Sequence, residues 1–428
     1  MKRAVIITLF IAFITLWVVT KNIDHAAIPE PLSFIPWWNI QSVDTMKYSR
    51  DLTAEKINDP SFDSVIDQQV RDIAEIGATH VAIATPYDEE FLPFLKRWVS
   101  AARKYGLLVW FRGNFSGWEG WFGYPKISRG EHVVKTQNFI LNHSDLFQDG
   151  DIFSGCPECE NGGPGDPRQT GDVNGYRKFL ITEYEVTKNT FTKIWKRVTS
   201  NYFSMNGDIA RLIMDKPTTT ALGGVVTIDH YVNTPERLVS DIREIAAQSG
   251  GKIFLGEFGV PIPDIHGKLN DKEQAQWIAD ALEKLVNEPS LVGLNYWVGV
   301  GGSTQIWDGE GNPKPAVFVL RAYFNPRVLE GTVIDQYKRP IKNAEVLSSH
   351  KNTMTDLSGH FSLPIIERDR QVTAFADGYT NTEHTIDKNS QYISIIIEKK
   401  YNNQLQMILD RLQVLFSKLV KLASFSSL

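Results

Sequence analysis

The sequence predicts an α/β barrel followed by a small all-β module, and two observations support this order. Between about residues 32 and 325, short apolar or β-branched runs alternate with stretches of helical periodicity, which is typical of parallel strands joined by crossover helices. From residue 327 the pattern changes to short strands separated by turn signals such as Asp377-Gly378. The 428 residues are enough for a barrel of roughly 250 residues and a second domain.

Eight runs in the first part are expected to form strands. They cover residues 33–38, 80–84, 107–111, 151–155, 199–205, 225–228, 252–255 and 291–297. Helical periodicity lies between them, at residues 62–76, 90–105, 175–196, 235–248 and 272–287. Eight such units can close into a (β/α)8, or TIM, barrel. A doubly wound open sheet is the alternative, but the glycine fingerprint of nucleotide binding is missing after the first strand.

The N-terminal segment predicts attachment to a membrane. Residues 4–20 carry no charge, follow Lys2 and Arg3, and precede Lys21. The segment is either a signal peptide or a signal anchor. We expect the anchor, because no clear small-x-small cleavage site follows, although Ala26-Ala27 leaves cleavage and secretion open. The positive charge before the segment places the rest of the chain outside the cytoplasmic membrane.

Charge and cysteine content restrict the class of partner. The formal net charge is -5 and the Lys and Arg residues are scattered, which disfavours nucleic acid as a ligand. The two cysteines, Cys156 and Cys159, are too few for a four-ligand zinc site, and no second CxxC or HxxxH motif supplies the rest. A local disulfide and a pair of unlinked thiols both remain open. We therefore expect neither a metal nor a cofactor.

Carboxylates follow two of the predicted strands, at the end where barrel enzymes place their catalytic groups. Glu257 follows the seventh strand within the sequence Gly-Glu-Phe-Gly. Glu158 and Glu160 follow the fourth strand, within Cys-Pro-Glu-Cys-Glu-Asn. An ordinary surface carboxylate is the alternative for each, but the two glycines around Glu257-Phe258 favour a functional role there.

These residues resemble those of clan A, the superfamily of retaining barrel glycoside hydrolases that includes cellulases, β-mannanases and β-galactosidases. In that clan the acid/base closes strand four and the nucleophile closes strand seven, so the resemblance implies Glu158 and Glu257 in these roles. Such enzymes use two carboxyl groups about 5 Å apart, which the ends of facing strands can provide. The implied activity is hydrolysis of a β-linked oligo- or polysaccharide with net retention and without a cofactor.

The resemblance also implies substrate contacts. Tyr231 and His230 follow the sixth strand, where clan members carry a residue that hydrogen-bonds the nucleophile. Trp297 ends the eighth strand, where the clan keeps an aromatic platform for the sugar.

Further contacts are expected from the residues themselves. Arg112, after the third strand, is expected to hold the charge of the nucleophile or to orient a sugar hydroxyl, with a structural salt bridge as the alternative. Trp38 and Trp118 are expected to line sugar subsites, with core packing as the alternative.

One departure from the clan leaves two points open. Most members have Asn directly before the acid/base, whereas this chain has Pro157. Glu160 therefore remains an alternative acid/base. The contact with the sugar 2-hydroxyl, which Asn makes in other members, is expected from Glu160 or Asn161. A barrel that has lost catalysis and serves as a carbohydrate-binding or cell-surface scaffold protein is the alternative function. A metal-dependent hydrolase is disfavoured, since no His/Asp cluster is evident.

The second module resembles a different family. Its motifs are similar to those of the carboxypeptidase regulatory-like, or transthyretin-related, β-sandwich, and they lie at residues 330–335, 340–346, 355–361 and 376–379. This family implies a spacer, a stabilising domain or a partner-binding surface without catalytic residues. The predicted organisation is residues 1–28 for the membrane segment, 29–326 for the barrel, 327–399 for the β-sandwich and 400–428 for a helical tail.

The tail has the spacing of an amphipathic helix. Leucine or isoleucine recurs at alternating steps of three and four, at Leu405, Ile408, Leu412, Leu415, Leu419 and Leu422. Docking on its own protein, self-association, and contact with a membrane through Lys418 and Lys421 all remain open.

Overall fold

The structure, a computed structural model, describes residues 35–47, 49–401, 404–405 and 407–414. The predicted membrane segment, residues 1–28, lies outside these residues, and so does the end of the predicted tail helix, residues 415–428. Among the residues that are described, no helix combines the length and the apolar character that crossing a bilayer requires.

The first part of the chain alternates strands and helices, as the sequence predicts. The strands are β1 (Ile40–Asp44), β2 (His80–Ile83), β3 (Leu108–Phe111), β4 (Ile152–Phe153), β5 (Ser204–Asn206), β6 (Val225–Asp229), β7 (Lys252–Phe258) and β8 (Leu291–Tyr296). The α-helices are Ser49–Lys56, Asp63–Glu75, Leu92–Lys104, Ser116–Glu119, Arg129–Asn142, Pro167–Thr170, Val173–Lys193, Gly207–Ile213, Lys216–Ala221, Pro235–Ser249, Pro263–His266, Asp271–Leu285 and Pro315–Phe324.

The eight strands form one parallel sheet that closes on itself. Their order is β4-β3-β2-β1-β8-β7-β6-β5, and every pair of neighbours is parallel. The two edges of the sheet also meet, because Ile152 of β4 forms a parallel bridge with Thr199, in the segment that leads into β5, and the Phe153 N–H donates to the Thr199 carbonyl at 2.8 Å. This topology confirms the predicted TIM barrel and excludes the doubly wound alternative. All eight carboxyl ends therefore meet at one mouth.

The barrel interior is apolar at its centre and charged at its mouth. A buried apolar cluster fills the centre, made of Ala82, Trp110, Ile152, Tyr202 and Phe254, with Ile40, Val225 and Val292 packed against it. Because side chains alternate along a strand, residues two or four positions further on share the interior face. Asp44, Arg112 and Asp229 occupy such positions at the ends of β1, β3 and β6. The alternation that fills the core thus brings three charged groups to the mouth.

The first strand lies elsewhere than the sequence predicts. The apolar run at 33–38 predicts a strand, whereas β1 spans Ile40–Asp44 and includes the buried polar residue Gln41. The Gln41 amide donates to the carbonyls of Gly77 and Phe324 at 2.9 and 2.8 Å, so its burial is compensated. Trp38 consequently precedes β1, at the barrel end opposite the mouth, and is buried. The expectation that Trp38 contacts substrate is therefore wrong.

The second module consists of two small sheets. Its strands are β9 (Arg327–Asp335), β10 (Glu345–Leu347), β11 (Asn352–Met354), β12 (His360–Ile365), β13 (Gln371–Phe375), β14 (Thr382–Thr385) and β15 (Tyr392–Ile397). They pair in the orders β11-β10-β13-β14 and β12-β9-β15. Alternate residues of both sheets, such as Val333, Val346 and Ile395, share one buried apolar core. The predicted all-β module is confirmed, and its likeness to the carboxypeptidase regulatory-like family stays a prediction.

The β-module packs against the barrel end opposite the mouth. The Lys351 ammonium donates to the Trp37 carbonyl at 2.8 Å and lies 4.9 Å from the centre of the Trp37 ring. Ile366 belongs to the main apolar core of the barrel. Arg368 forms an ion pair with Glu283 of the barrel helix Asp271–Leu285. The module therefore leaves the mouth open.

The described part of the tail is helical and contacts the β-module through its polar side. The Asp410 carboxylate accepts hydrogen bonds from Arg339, Lys399 and Tyr401. The described members of the predicted stripe are exposed, with exposed fractions of 66% for Leu405, 48% for Ile408 and 58% for Leu412. Self-association through this stripe stays a prediction.

A buried ion pair links the helix Leu92–Lys104 to the residue directly before β4, and its contribution to stability can be measured. Arg103 donates to both Asp151 oxygens, at 2.9 and 2.5 Å, and the Asp151 side chain is fully buried. Arg103→Met would leave a buried carboxylate without its cation, so we expect the free energy of unfolding to fall by about 2–4 kcal/mol in urea titrations.

Arg197→Met is the matched control, because Arg197 pairs with Asp149 on the surface and its side chain is 87% exposed. Its cost is expected to stay below about 1 kcal/mol. Equal losses in the two variants would contradict the importance assigned to the buried pair.

Candidate active site

The mouth of the barrel contains a cleft formed by residues at or after the ends of six strands. Its lining combines carboxyl groups, cations, amides and two tryptophans: Asp44, Met46, Lys47, Ser49, Arg50, Asp51, Ala84, Arg112, Asn114, Glu119, Trp121, Pro157, Glu158, Asn161, Glu257 and Trp297. Aromatic faces next to hydrogen-bonding groups suit a ligand that has both apolar and hydroxylated surfaces, such as a sugar.

Two glycines allow β7 to present Glu257 to the cleft. A Cβ on Gly256 would lie 2.4 Å from an Asp229 oxygen, and a Cβ on Gly259 would lie 2.1 Å from the Trp297 carbonyl oxygen. The register between β6 and β7 shifts at this point, so that Asp229 pairs with Glu257. Only glycine permits these close approaches. The Glu257 side chain is thereby placed at the cleft wall, 13% exposed.

Glu257 is held by a donor at each carboxylate oxygen. The Arg112 guanidinium donates to Oε1 at 3.0 Å, and the Tyr231 hydroxyl donates to Oε2 at 2.7 Å. Burial, followed by the charge of Glu257, raises the pKa of Tyr231 well above its usual value, so the phenol keeps its proton and donates. Both contacts fix the orientation of the Glu257 side chain at the cleft wall.

Arg112 is itself surrounded by carboxyl groups. Its guanidinium lies 2.6 Å from Asp44 and 3.5 Å from Asp229, in addition to Glu257. Burial alone would lower the pKa of Arg112, but the charges of Glu257, Asp229 and Asp44 raise it well above its usual value. The Arg112 guanidinium is thus a permanent cation in contact with Glu257.

Glu158 lies opposite Glu257 and carries a proton near neutral pH. Its backbone is left-handed, with φ of 44°, and its N–H donates to the Ser204 carbonyl at 2.8 Å. Carboxylate oxygens of Glu158, Asp229 and Glu257 all lie within 4.8 Å of one another. Burial, followed by the charge of Glu257, raises the pKa of Glu158 to about 8.

Two further acids beside Arg112, namely Asp44 and Asp229, also have raised pKa values. Burial raises the pKa of Asp44 to about 6. Burial and then the charge of Glu257 raise the pKa of Asp229 well above its usual value. The carboxylate oxygens could serve as ligands for a cation, but the Arg112 guanidinium already supplies positive charge to two of the three, which argues against a metal ion there.

The fourth-strand loop separates its two glutamates. Glu160 is buried and accepts hydrogen bonds from the Tyr176 hydroxyl at 3.1 Å and from the Asn206 N–H at 2.9 Å. It lies outside the residues that line the cleft, whereas Glu158 and Asn161 belong to them. Glu160 is therefore a structural residue here, and its expected roles as acid/base and as sugar contact are corrected.

Trp118 and His230 are also structural. Trp118 is buried, stacks on Phe179 at 5.0 Å between ring centroids, and donates from its indole nitrogen to the Cys159 carbonyl. It therefore packs below the Glu158 loop instead of facing the cleft, which corrects the expected sugar contact. The His230 ring lies 2.8 Å from Asp241, and its only contact with Glu257 among the described hydrogen bonds runs from its backbone N–H to the Glu257 carbonyl. Tyr231 contacts the Glu257 side chain instead.

Sequence reasoning missed three carboxyl groups of the cleft, Asp44, Asp51 and Glu119. Glu119 accepts a hydrogen bond from the Asn114 amide nitrogen at 2.9 Å. The Asn114 amide oxygen lies 2.9 Å from Nε2 of the buried His132 ring. Burial raises the pKa of Glu119 to about 7. Its helix, Ser116–Glu119, is a single turn, so no apolar periodicity marks it. Asp44 was missed for another reason, since the first strand was expected several residues earlier.

Comparison with known proteins gives a likeness of fold. No family model matches the sequence. No curated protein matches it significantly either. The topology and the cleft define the class of protein, a TIM barrel that carries a pair of facing carboxyl groups at its mouth.

Two solved GH5_18 glycoside hydrolases share this fold. One, from Bifidobacterium longum subsp. longum and crystallised in complex with Manβ1-4GlcNAc, has a TM-score of 0.51 and 12% identity, covering 83% of this chain and 91% of that chain. The other, from Bifidobacterium longum subsp. infantis, has a TM-score of 0.50 and 14% identity, covering 71% and 87%. At these identities the comparison shows a likeness of the barrel fold.

A longer protein is more distantly similar. β-Glucuronidase 2 of Bacteroides uniformis has a TM-score of 0.44 and 10% identity over 78% of this chain. The present chain spans 44% of the length of that protein.

The raised pKa of Glu158 makes a prediction about stability. The folded protein keeps this proton up to about pH 8, whereas an unfolded chain releases it near pH 4.5. Between these values the folded state binds more protons, so its stability falls as the pH rises. Glu158→Gln removes this loss. We expect its melting temperature to exceed that of the wild type by about 2 °C or more at about pH 9, and by less at about pH 5.

Glu55→Gln is the control, because Glu55 is exposed on the helix Ser49–Lys56. It should leave the melting temperature unchanged at both pH values. A Glu158→Gln variant that is no more stable than the wild type at high pH would contradict the assigned protonation state.

Proposed function

We propose that this protein is a glycoside hydrolase that cleaves a β-linked glycan by double displacement, with net retention of anomeric configuration. One observation carries the proposal, namely that Glu158 and Glu257 offer carboxylate oxygens within 4.8 Å of each other across the open cleft. Retaining enzymes hold their two carboxyl groups about 5–5.5 Å apart, whereas inverting enzymes need about 6.5–9.5 Å to accommodate a water molecule.

In the first step, Glu257 attacks the anomeric carbon and the bond to the leaving oxygen breaks. The Arg112 and Tyr231 donors hold the two Glu257 oxygens and orient them for this attack. Glu158 gives its proton to the leaving oxygen, a transfer for which its raised pKa prepares it. The products are a free alcohol and a glycosyl ester of Glu257.

In the second step, the ionised Glu158 takes a proton from water as the water oxygen attacks the anomeric carbon. The ester bond to Glu257 breaks, and Glu257 becomes a carboxylate again. The charge of Glu257 disappears in the ester and returns on release, which lowers and then restores the pKa of Glu158. One carboxyl group can thus serve as acid and then as base.

Substrate contacts are proposed for three further cleft residues. Trp297 offers an aromatic face for a sugar ring, and Tyr231 packs edge-on against it at 6.1 Å between ring centroids. Asn161 lines the cleft near Glu158, so it is the candidate for the 2-hydroxyl contact that other clan members make from the position of Pro157. Glu119 offers a further hydrogen bond to a sugar hydroxyl.

Display outside the cytoplasmic membrane is a further part of the proposal. It rests on the sequence of residues 4–20, which carries no charge and follows Lys2 and Arg3. The cysteine pair is linked as a disulfide, which is consistent with an oxidising compartment.

The alternative, an inactive carbohydrate-binding barrel, is less well supported. It would be favoured if neither fourth-strand glutamate lay near Glu257, because retaining chemistry would then lack its acid/base. A carboxylate oxygen of Glu158 lies within 4.8 Å of one from Glu257, which is shorter than the separation that inverting enzymes need, and Arg112 and Tyr231 both contact Glu257. The replacement of the usual Asn by Pro157 affects substrate binding but not this carboxylate pair.

Activity should depend on two of the three glutamates. We expect Glu257→Gln to lower turnover by about a thousandfold or more, because it removes the nucleophile. We expect Glu158→Gln to lower it by about 10²–10⁴-fold on substrates with poor leaving groups. The measurement is release of reducing sugar from a panel of β-glycans and aryl β-glycosides that includes Manβ1-4GlcNAc, the disaccharide bound by the similar GH5_18 protein.

Glu160→Gln is the matched control, since Glu160 stands two residues from Glu158 and is directed into the protein. Its turnover should stay within about threefold of the wild type. Proton NMR of the first product should show the β-anomer, as retention requires. An α-anomer, or full activity of Glu257→Gln, would overturn the proposed function.

The pH dependence should report the proton on Glu158. Because the protonated form is the active acid, kcat/KM for a poor leaving group should fall as the pH rises through about 8. In Glu158→Gln this alkaline decline should vanish, and an activated aryl glycoside should restore most of the rate. An alkaline decline that persists in the variant would assign it to another group.

A further inference from the structure

The residue proposed as acid/base lies inside a very small disulfide-closed loop. Cys156 and Cys159 are bonded to each other, with 5.2 Å between their Cα atoms, and Pro157 and Glu158 are the two residues between them. Both cysteines are buried, whereas Glu158 faces the cleft. The disulfide thus joins the two ends of the segment that carries the proton donor.

The backbone of this loop is in a conformation that does not form readily by itself. Glu158 adopts the left-handed conformation, with φ of 44°, which is disfavoured for residues other than glycine. The N–H of Glu158 donates to the Ser204 carbonyl, and the Cys159 carbonyl accepts from Trp118. These two contacts hold single atoms of the loop, while the covalent link restricts both flanks of Glu158 at once.

The nucleophile is held by different parts of the barrel. Glu257 lies on β7, and its donors Arg112 and Tyr231 follow β3 and β6. The donors that hold Glu257 are therefore separate from the loop after β4.

We propose that the Cys156–Cys159 disulfide positions Glu158 for proton transfer, so that its reduction removes acid/base catalysis while the nucleophile is retained. The inference rests on the proposed function. In the redox step, a dithiol reductant such as dithiothreitol supplies two electrons and two protons, the sulfur–sulfur bond breaks, two cysteine thiols form, and the reductant becomes a cyclic disulfide. The cysteine pair is then a positioning group and does not touch the substrate.

The test uses the full chain and two aryl β-glycosides of one sugar, phenyl and 2,4-dinitrophenyl. A 2,4-dinitrophenolate leaves without a proton, whereas a phenolate depends on the acid. For Cys156→Ala/Cys159→Ala we expect kcat/KM to fall about 10²-fold for the phenyl glycoside and less than about threefold for the dinitrophenyl glycoside. Sodium azide, which attacks without a base, should raise the turnover of the variant on the dinitrophenyl glycoside and not that of the wild type.

A second measurement does not depend on how well the alanine variant folds. The wild type is incubated with dithiothreitol, its thiols are counted by maleimide labelling and mass spectrometry, and both activities are followed over time. The phenyl glycosidase activity should fall in step with the appearance of two thiols and return on reoxidation. The alanine variant, treated in the same way, should show no further change.

The outcomes separate the two proposals. Equal losses on both glycosides, or full phenyl glycosidase activity after two thiols have formed, would overturn the positioning role alone. Absence of hydrolysis of any glycoside by the disulfide-bonded wild type would overturn the proposed function and this inference with it.

Discussion

The buried guanidinium of Arg112 is the group on which the arrangement of the cleft depends. It contacts Asp44, Asp229 and Glu257, which end or follow three separate strands of the barrel. A buried cation without partners would be very unfavourable, and so would three buried carboxylates without a cation. The network therefore ties the ends of the strands together, and removal of any member leaves an unbalanced charge for the others.

The same network shifts the pKa values of the acids around Glu257. Glu257 has the two direct donors, and its negative charge is among the causes that raise the pKa of both Glu158 and Asp229. Neighbouring carboxyl groups thus differ in protonation because their environments differ. Buried acids with raised pKa values lower the stability of the folded protein at alkaline pH, because the unfolded chain releases their protons more easily. Such shifted pKa values are common at functional sites.

Two local backbone features place the facing carboxyl groups. At β7, the lack of side chains at Gly256 and Gly259 lets the strand approach Asp229 and the Trp297 carbonyl closely. After β4, a disulfide and a left-handed backbone direct Glu158 into the cleft and Glu160 into the protein. The β-module lies at the far end of the barrel, where it packs on Trp37 and leaves the mouth accessible.

The sequence by itself predicted the barrel, the β-module and a carboxylate at the end of the seventh strand, because hydrophobic periodicity and strand ends are local signals. Tyr231 was expected beside Glu257 through the likeness to clan A, and for Arg112 the sequence left other partners open. Tertiary structure alone decided which of Glu158 and Glu160 lines the cleft, since the two lie only two residues apart and Glu160 is bound by Tyr176 and Asn206. The position of the first strand also depends on tertiary structure, since β1 contains Gln41, which can be buried because the distant carbonyls of Gly77 and Phe324 accept its hydrogen bonds. Hydrogen-bond partners that are distant in the sequence do not change the local hydrophobic pattern, so their effect on burial cannot be predicted from that pattern.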